Sequence, residues 1–253
     1  MTLLAVERIK LFTTRSPMWC TVAALAITIG FAAMIAGVDT ENLPTIASSQ
    51  FSYSFGLVVI MVMATLAITT EYRFGTIRAT FQAIPNRTAT LLAKTTVVAV
   101  FAAAVGVLAS FGSVAVSKLI QPEADLAINT AFEWRATAGV GLVYAAAAVF
   151  ALAIGVLVRQ SAGAVAIVLI YSQLVESLVA LIPNIGTDIQ KWMPFYVANK
   201  FLTGDPDPTT RAVAEGPPPS AATLSPWWAL AYFVAIAVAL LAVSLFAANR
   251  RDA

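Results

Sequence analysis

The stretch Glu71-Tyr72-Arg73-Phe74-Gly75-Thr76-Ile77-Arg78-Ala79-Thr80, continued by Pro85, Arg87 and Lys94, is a polar island between two long apolar runs. Residues 53–70 before it and 95–117 after it contain no charged side chain. Each run approaches the roughly 20 residues with which an α-helix crosses about 30 Å of hydrocarbon. A charged segment held between two such runs lies at one membrane surface, where it can be presented to another molecule.

Outward from this island, the same signal repeats. The chain is 60% apolar and 11% charged, with a mean hydropathy of +0.85, a composition that cannot supply a soluble domain with a polar surface. Six apolar runs stand out, near 17–37, 53–70, 95–117, 136–158, 162–182 and 227–248. All six are expected to be helices, because isolated strands would leave backbone groups unpaired in lipid. The expectation is therefore an all-α integral membrane protein, one transmembrane domain over 1–253 with an external loop at 183–226. The first run follows Arg8, Lys10 and Arg15 as a signal peptide would, but it exceeds a usual h-region and five more runs follow. It is read as a retained span.

Charge orients the spans. With the N-terminus cytoplasmic, Arg8, Lys10, Arg15, Arg73, Arg78, Arg87, Lys94, Arg159, Arg250 and Arg251 lie inside. Lys118, Arg135, Lys191, Lys200 and Arg211 lie outside, so ten cations face five, which favours both termini inside. Of the acids, Glu7, Glu71 and Asp252 fall inside and nine outside, giving +7 inside and −4 outside, with Glu176 left within a span. The net charge of +2 thus reflects topology, and no nucleic-acid-binding surface is expected.

Absent residue types exclude whole chemistries. With no histidine, the usual haem ligation, zinc-hydrolase and Ser-His-Asp arrangements are not available, and Cys20 is a lone cysteine read as a packing residue. No G-x-x-x-x-G-K-[ST] run exists, so no P-loop is expected and no cofactor or metal is assigned to this chain. If ATP drives this protein, another subunit holds it.

Residues 2–15 read as a helix with Ala5, Val6, Ile9 and Phe12 on one side and Glu7, Arg8, Lys10, Thr14 and Arg15 on the other, ended or redirected by Pro17. It suits a helix in the cytoplasmic interface, or equally an ordinary positive flank. The island itself has a sharper pattern. At 100° per residue, Phe74, Ile77, Phe81 and Ile84 share an apolar stripe, and Glu71, Gly75, Arg78 and Gln82 a polar face. One surface helix over about 70–84 is expected, capped by Thr69 or Thr70, with Glu71 in its first turn and Pro85 at its end. Gly75 in mid-helix would cost about 1 kcal/mol relative to alanine, which suggests close approach of another backbone. The competing reading is a solvated loop whose arginines only enforce topology.

The run Glu71-Tyr72-Arg73-x-Gly75-Thr76, an apolar stretch, then Pro85, Arg87 and Lys94, resembles the cytoplasmic segment of permease subunits of type-2 ABC exporters. The resemblance implies a bacterial cytoplasmic-membrane permease, multi-pass, whose first cytoplasmic loop is a coupling helix between spans 2 and 3. It implies a cleft on a separate ATP-binding subunit, two copies of it with its ATP and Mg, and a second permease in a homodimer or heterodimer. The coupling interface would be Glu71, Arg73, Phe74, Gly75, Ile77, Arg78, Phe81 and Ile84. Phe74 stands where the family often has a polar residue or histidine.

Between the last two spans, Lys191-Trp192-Met193-Pro194-Phe195-Tyr196 precedes a Pro/Gly/acid-rich stretch from Gly204 through Pro217-Pro218-Pro219. Trp192, Phe195 and Tyr196 suit the bilayer interface. The resemblance implies re-entrant helices here, with Pro183, Trp192, Pro194 and Phe195 closing the outer end of a translocation path. Glu176, flanked by Ser172, Gln173 and Ser177, cannot face lipid ionised without a cost of several kcal/mol. Gln173 and Glu176 are therefore read either as part of that path or outer gate, or as groups hydrogen-bonded between helices. Gly139, Gly141, Ala145, Ala148, Gly155 and Gly163 are read as close helix packing. The mostly apolar spans point to a hydrophobic or amphipathic cargo such as a drug, peptide antibiotic or lipid-like molecule. Rival readings are an ion-coupled secondary transporter, for which Glu176 alone is thin support, a membrane-embedded enzyme without a visible catalytic set, and a non-transporting anchor for an ATPase.

Overall fold

A computed structural model describes residues 2–38, 43–84, 86–205, 217–218 and 220–250. Among these every regular element is helical. Six helical segments are long and apolar enough to cross a membrane. In chain order the elements are α1 (Leu3–Thr13), α2 (Arg15–Val38), α3 (Ile46–Ser49), α4 (Tyr53–Arg73), α5 (Thr76–Ala83), α6 (Arg87–Ile120) and α7 (Ala131–Val158). There follow α8 (Ser161–Leu169), a π-helical turn (Ile170–Val175), α9 (Glu176–Val179), α10 (Gly186–Gln190), α11 (Pro194–Thr203) and α12 (Pro226–Arg250). Pro85, Arg251, Asp252 and residues 206–216 of the Pro/Gly/acid-rich stretch lie outside the described residues.

Local chemistry sets the ends of these helices. Thr130 and Glu133 form a reciprocal capping box at the start of α7, with Glu133 N donating to Thr130 Oγ1 at 3.2 Å and Thr130 N to Glu133 Oε2 at 2.8 Å. Asn86 caps α6 through Ala89 N at 3.0 Å.

α7 is the central helix. Of its most apolar stretch 78% is buried, against 22% for α2 and 28% for α12, so the outer helices carry the lipid-facing surface. It packs on α4, α6, α8, α11 and α12. The α6–α7 crossing is close because Gly106 and Gly141 face each other; a Cβ on Gly141 would lie 2.8 Å from the Ala103 carbonyl oxygen. Hydroxyls then tie the bundle: Tyr144 donates to Tyr53 O at 2.7 Å, Ser110 to Thr137 O at 2.8 Å and Ser52 to Thr28 O at 2.9 Å.

Two expectations require correction. In α1, Glu7 and Leu11 are the buried residues, whereas Ile9 and Phe12 face outward. The helix turns its acid inward because the buried Lys94 ammonium of α6 awaits it there. The fifth span is not a uniform helix through 182: it loosens into the π-turn at Ile170–Val175 and ends at Val179. Within the interval 183–226, α10 and α11 are helical and α11 packs against α7 and α12.

Candidate functional site

The polar island builds a joint between helices, and the expected continuous helix over 70–84 does not form. α4 runs through Arg73, Phe74 N still donates to Thr70 O at 2.9 Å, and Gly75 then adopts φ 71°. That left-handed conformation disfavours a side chain, and α5 starts one residue later. A Cβ on Gly75 would meet nothing within 4 Å. Its need for glycine is therefore backbone conformation, not the close approach expected from a mid-helix position. Thr69 and Thr70 are not caps either: their hydroxyls donate back to Thr65 O and Leu66 O, at 2.9 and 2.6 Å. Glu71 accordingly sits in the last turn of α4 rather than the first turn of α5.

Glu71 does not join Arg78 on an exposed face. Its Oε1 lies 2.9 Å from Lys94 Nζ of α6 and 3.4 Å from Lys10 Nζ of α1, while Glu7 of α1 lies 2.5 Å from Lys94 and 2.8 Å from Lys10. Two carboxylates and two ammoniums thus form a neutral, largely buried quartet joining α1, α4 and α6. Each charge has two opposite neighbours, the arrangement that offsets the desolvation of buried ions. Lys10 records the balance: burial pulls its pKa down, but Glu7 and Glu71 more than offset this and leave it above its ordinary value.

The neighbouring residues extend the joint. Arg159, at the left-handed end of α7, lies over the Tyr72 ring at 5.1 Å. Arg87 lies over the Phe81 ring at 5.4 Å and donates to Ala248 O at 3.3 Å, while Asn249 donates to Thr88 at 2.9 Å, which ties α6 to the end of α12. Ile77 is buried in the core, and Phe81 and Ile84 are half-buried. Phe74 departs from the expected stripe: it is 71% exposed, alongside exposed Arg73, Gly75, Thr76 and Arg78. A shallow concavity here is lined, among the described residues, by Tyr72, Arg73, Phe74, Gly75, Ile77, Arg78 and Arg159, three arginines and no carboxylate. It suits an acidic surface with an apolar contact for Phe74.

At the other end of the bundle, Glu176 is buried, and its carboxylate accepts from Phe195 N at 3.0 Å and Tyr196 N at 2.7 Å. These are first-turn amides of α11, which has Pro194 at its start and no cap from its own side chains. A carboxylate from another helix thus supplies the cap, favoured by the positive end of the helix dipole. Phe195 packs its ring against Phe150 at 5.3 Å and Phe233 at 5.2 Å. Gln173 and Trp192 are exposed and do not meet Glu176; Trp192 packs edgewise on Tyr232.

Sequence reasoning missed Glu7 and Lys10, read as the polar side of an interfacial helix or a positive flank, and Lys94 as an ionic partner. The available signal was the opposite charge at 7 and 10, three apart on one helix, and the E…K pair inside the island's own pattern. The π-turn left no signal in hydropathy.

No curated protein matches the chain. The family model described as ABC-2 family transporter protein matches residues 3–175, more than half of the chain, from α1 through the π-turn and including the ionic quartet and α5. That family supplies the membrane component of systems working with an ATP-binding partner. The six spans and this match together identify the chain as a multi-pass membrane permease belonging to the ABC-2 family of transporter proteins.

Proposed function

We propose that this permease exports a hydrophobic or amphipathic compound, and that the exposed face of α5 with Arg73 and Phe74 docks a separate ATP-binding subunit. The observation that carries the reading is the mounting of that face. A basic, aromatic surface with no carboxylate among the described residues of its concavity projects beyond a joint whose buried ions bind α1, α4 and α6 together.

A push on α5 meets a hinge at Gly75 and a stiff tie just behind it. Ile77 seats α5 in the core, so the helix cannot slide freely, and displacement passes to α4 and, through Glu71, to Lys94 and Lys10. The movement is thereby shared among α1, α4 and α6, as coupling between sites requires of a packed element with two arrangements. In this reading the α5 end is cytoplasmic, supported by ten cations against five, and the membrane is the bacterial cytoplasmic one. Two ATP-binding subunits, holding ATP and Mg, and a second permease, identical or not, complete the transporter. Gln173, Glu176, Trp192, Pro194 and Phe195 belong to the outer part of the path, where α10 and α11 act as the re-entrant segment.

The test is purification of the tagged chain from its native membrane. A P-loop ATPase is expected to accompany it, and charge reversal at Arg73 and Arg78 is expected to release that subunit. An unchanged complex after the double reversal would refute the docking assignment.

A further inference from the structure

A second cavity, about 450 Å3, has the ionic quartet at one end. Glu7, Lys10, Glu71 and Lys94 line that end together with hydroxyls of α1, α4 and α5, and Met63, Leu66 and Val97 are among the apolar residues that line the part deeper along α4 and α6. The eight positions of α4 from Glu71 back to Met63 span about 12 Å at 1.5 Å per residue. The lining therefore passes from charged to apolar over about the depth of one leaflet's hydrocarbon, half of roughly 30 Å. An amphiphile lying in the membrane has the same order of polarity.

Hydrogen bonding selects the head. Lys10 Nζ already faces three acceptors: Glu7 Oε1 at 2.8 Å, Thr80 Oγ1 at 3.2 Å and Glu71 Oε1 at 3.4 Å. Glu71 Oε1 serves both lysines, while Glu71 Oε2 is buried with no hydrogen-bond donor. The lining hydroxyls of Thr13, Thr14 and Thr70 donate to carbonyls of the preceding helical turn, so they offer only lone pairs. Glu71 Oε2 is thus left without a donor, and a buried carboxylate oxygen gains most from a charged N–H. A primary ammonium brings three such donors; a quaternary ammonium brings none.

We propose that this cavity binds a membrane lipid with a primary-ammonium headgroup, its ammonium at Glu71 and an acyl chain along Leu66, Met63 and Val97. The cavity touches the docking face at Phe74 and Thr76 but holds both carboxylates and none of that face's arginines, and the assignment stands whether or not that face docks an ATPase.

The test is native mass spectrometry of the full chain in detergent, with equimolar lipids of identical acyl chains and ethanolamine, N-methylethanolamine, choline or glycerol heads. Retention is expected to fall along the methylation series, with ethanolamine about tenfold over choline, the size of one charge-assisted hydrogen bond. Glu71→Gln is expected to erase that preference. Leu66→Trp, which fills the apolar end and leaves the ion pairs in place, is expected to lower retention of the ethanolamine lipid and provides a second variant should Glu71→Gln fail to fold. Equal retention of ethanolamine and choline lipids, or a preference for the anionic glycerol head, overturns the proposal. So does a preference that survives both substitutions, or retention of a long-chain alkylamine without retention of the ethanolamine lipid.

Discussion

Lys94 sits between Glu7 and Glu71 with almost no exposed surface. Lys94→Met would leave two buried carboxylates sharing only Lys10, and breaking a buried pair from one side costs about 3 kcal/mol or more. The expected result is a clear fall in the melting temperature of the detergent-solubilised chain, with Glu71→Gln/Lys94→Met recovering more than half of it; additive losses in the double variant would argue against a shared network. Gly75→Ala is expected to cost about 1 kcal/mol, because a side chain there is strained at φ 71° although space is free. Gly75→Asn should cost less, since asparagine tolerates the left-handed region better, and equal losses would contradict the conformational explanation. At this scale the residue types of the joint were readable but not their partners. Glu71 and Lys94 stand in one pattern, yet Glu7 is more than sixty positions away, and helical periodicity carries no information across that gap.

Among the elements, α5 and α11 show how far pattern carries. The 100° rule groups Ile77 with Phe74, Phe81 and Ile84 and Glu71 with Arg78, but it assumes an unbroken helix: Ile77, expected in the coupling interface, is buried while Phe74 is exposed, and Glu71 turns to Lys94 and away from Arg78. One left-handed glycine resets the phase. The π-turn before Glu176 does the same to the fifth span, and the cap that Glu176 provides to α11 joins segments that hydropathy treats as separate. Glu176→Ala removes both acceptors and is expected to speed hydrogen exchange at the amides of 195 and 196, with Glu176→Gln intermediate; unchanged exchange would show that the cap does not hold α11. At the α6–α7 crossing, Gly141→Ala puts a methyl 2.8 Å from the Ala103 carbonyl oxygen and 2.6 Å from a Val107 methyl. Overpacking of this kind costs about 1–3 kcal/mol, measurable as a lower melting temperature, whereas an unshifted transition would mean that the helices separate freely.

For the whole molecule, six spans were legible because about 20 apolar residues admit few other fates, whereas the order of packing was not. All six runs are similarly apolar, and what makes α7 central is its small residues meeting Gly106 and the α11 side chains, a matter of shape rather than hydropathy. In the proposed orientation α5 lies on the inner side, and the joint behind it binds the ends of three helices there. The central claim is that α5 is the surface where the ATP-binding subunit engages. Its most direct test is site-directed crosslinking in intact membranes, in a Cys20→Ser background, with a single cysteine at Phe74→Cys or, at the opposite end, Ile189→Cys. The account predicts a crosslink from position 74 to an ATP-binding subunit and none from position 189; a crosslink from 189, or none from 74 while the complex remains assembled, would contradict it.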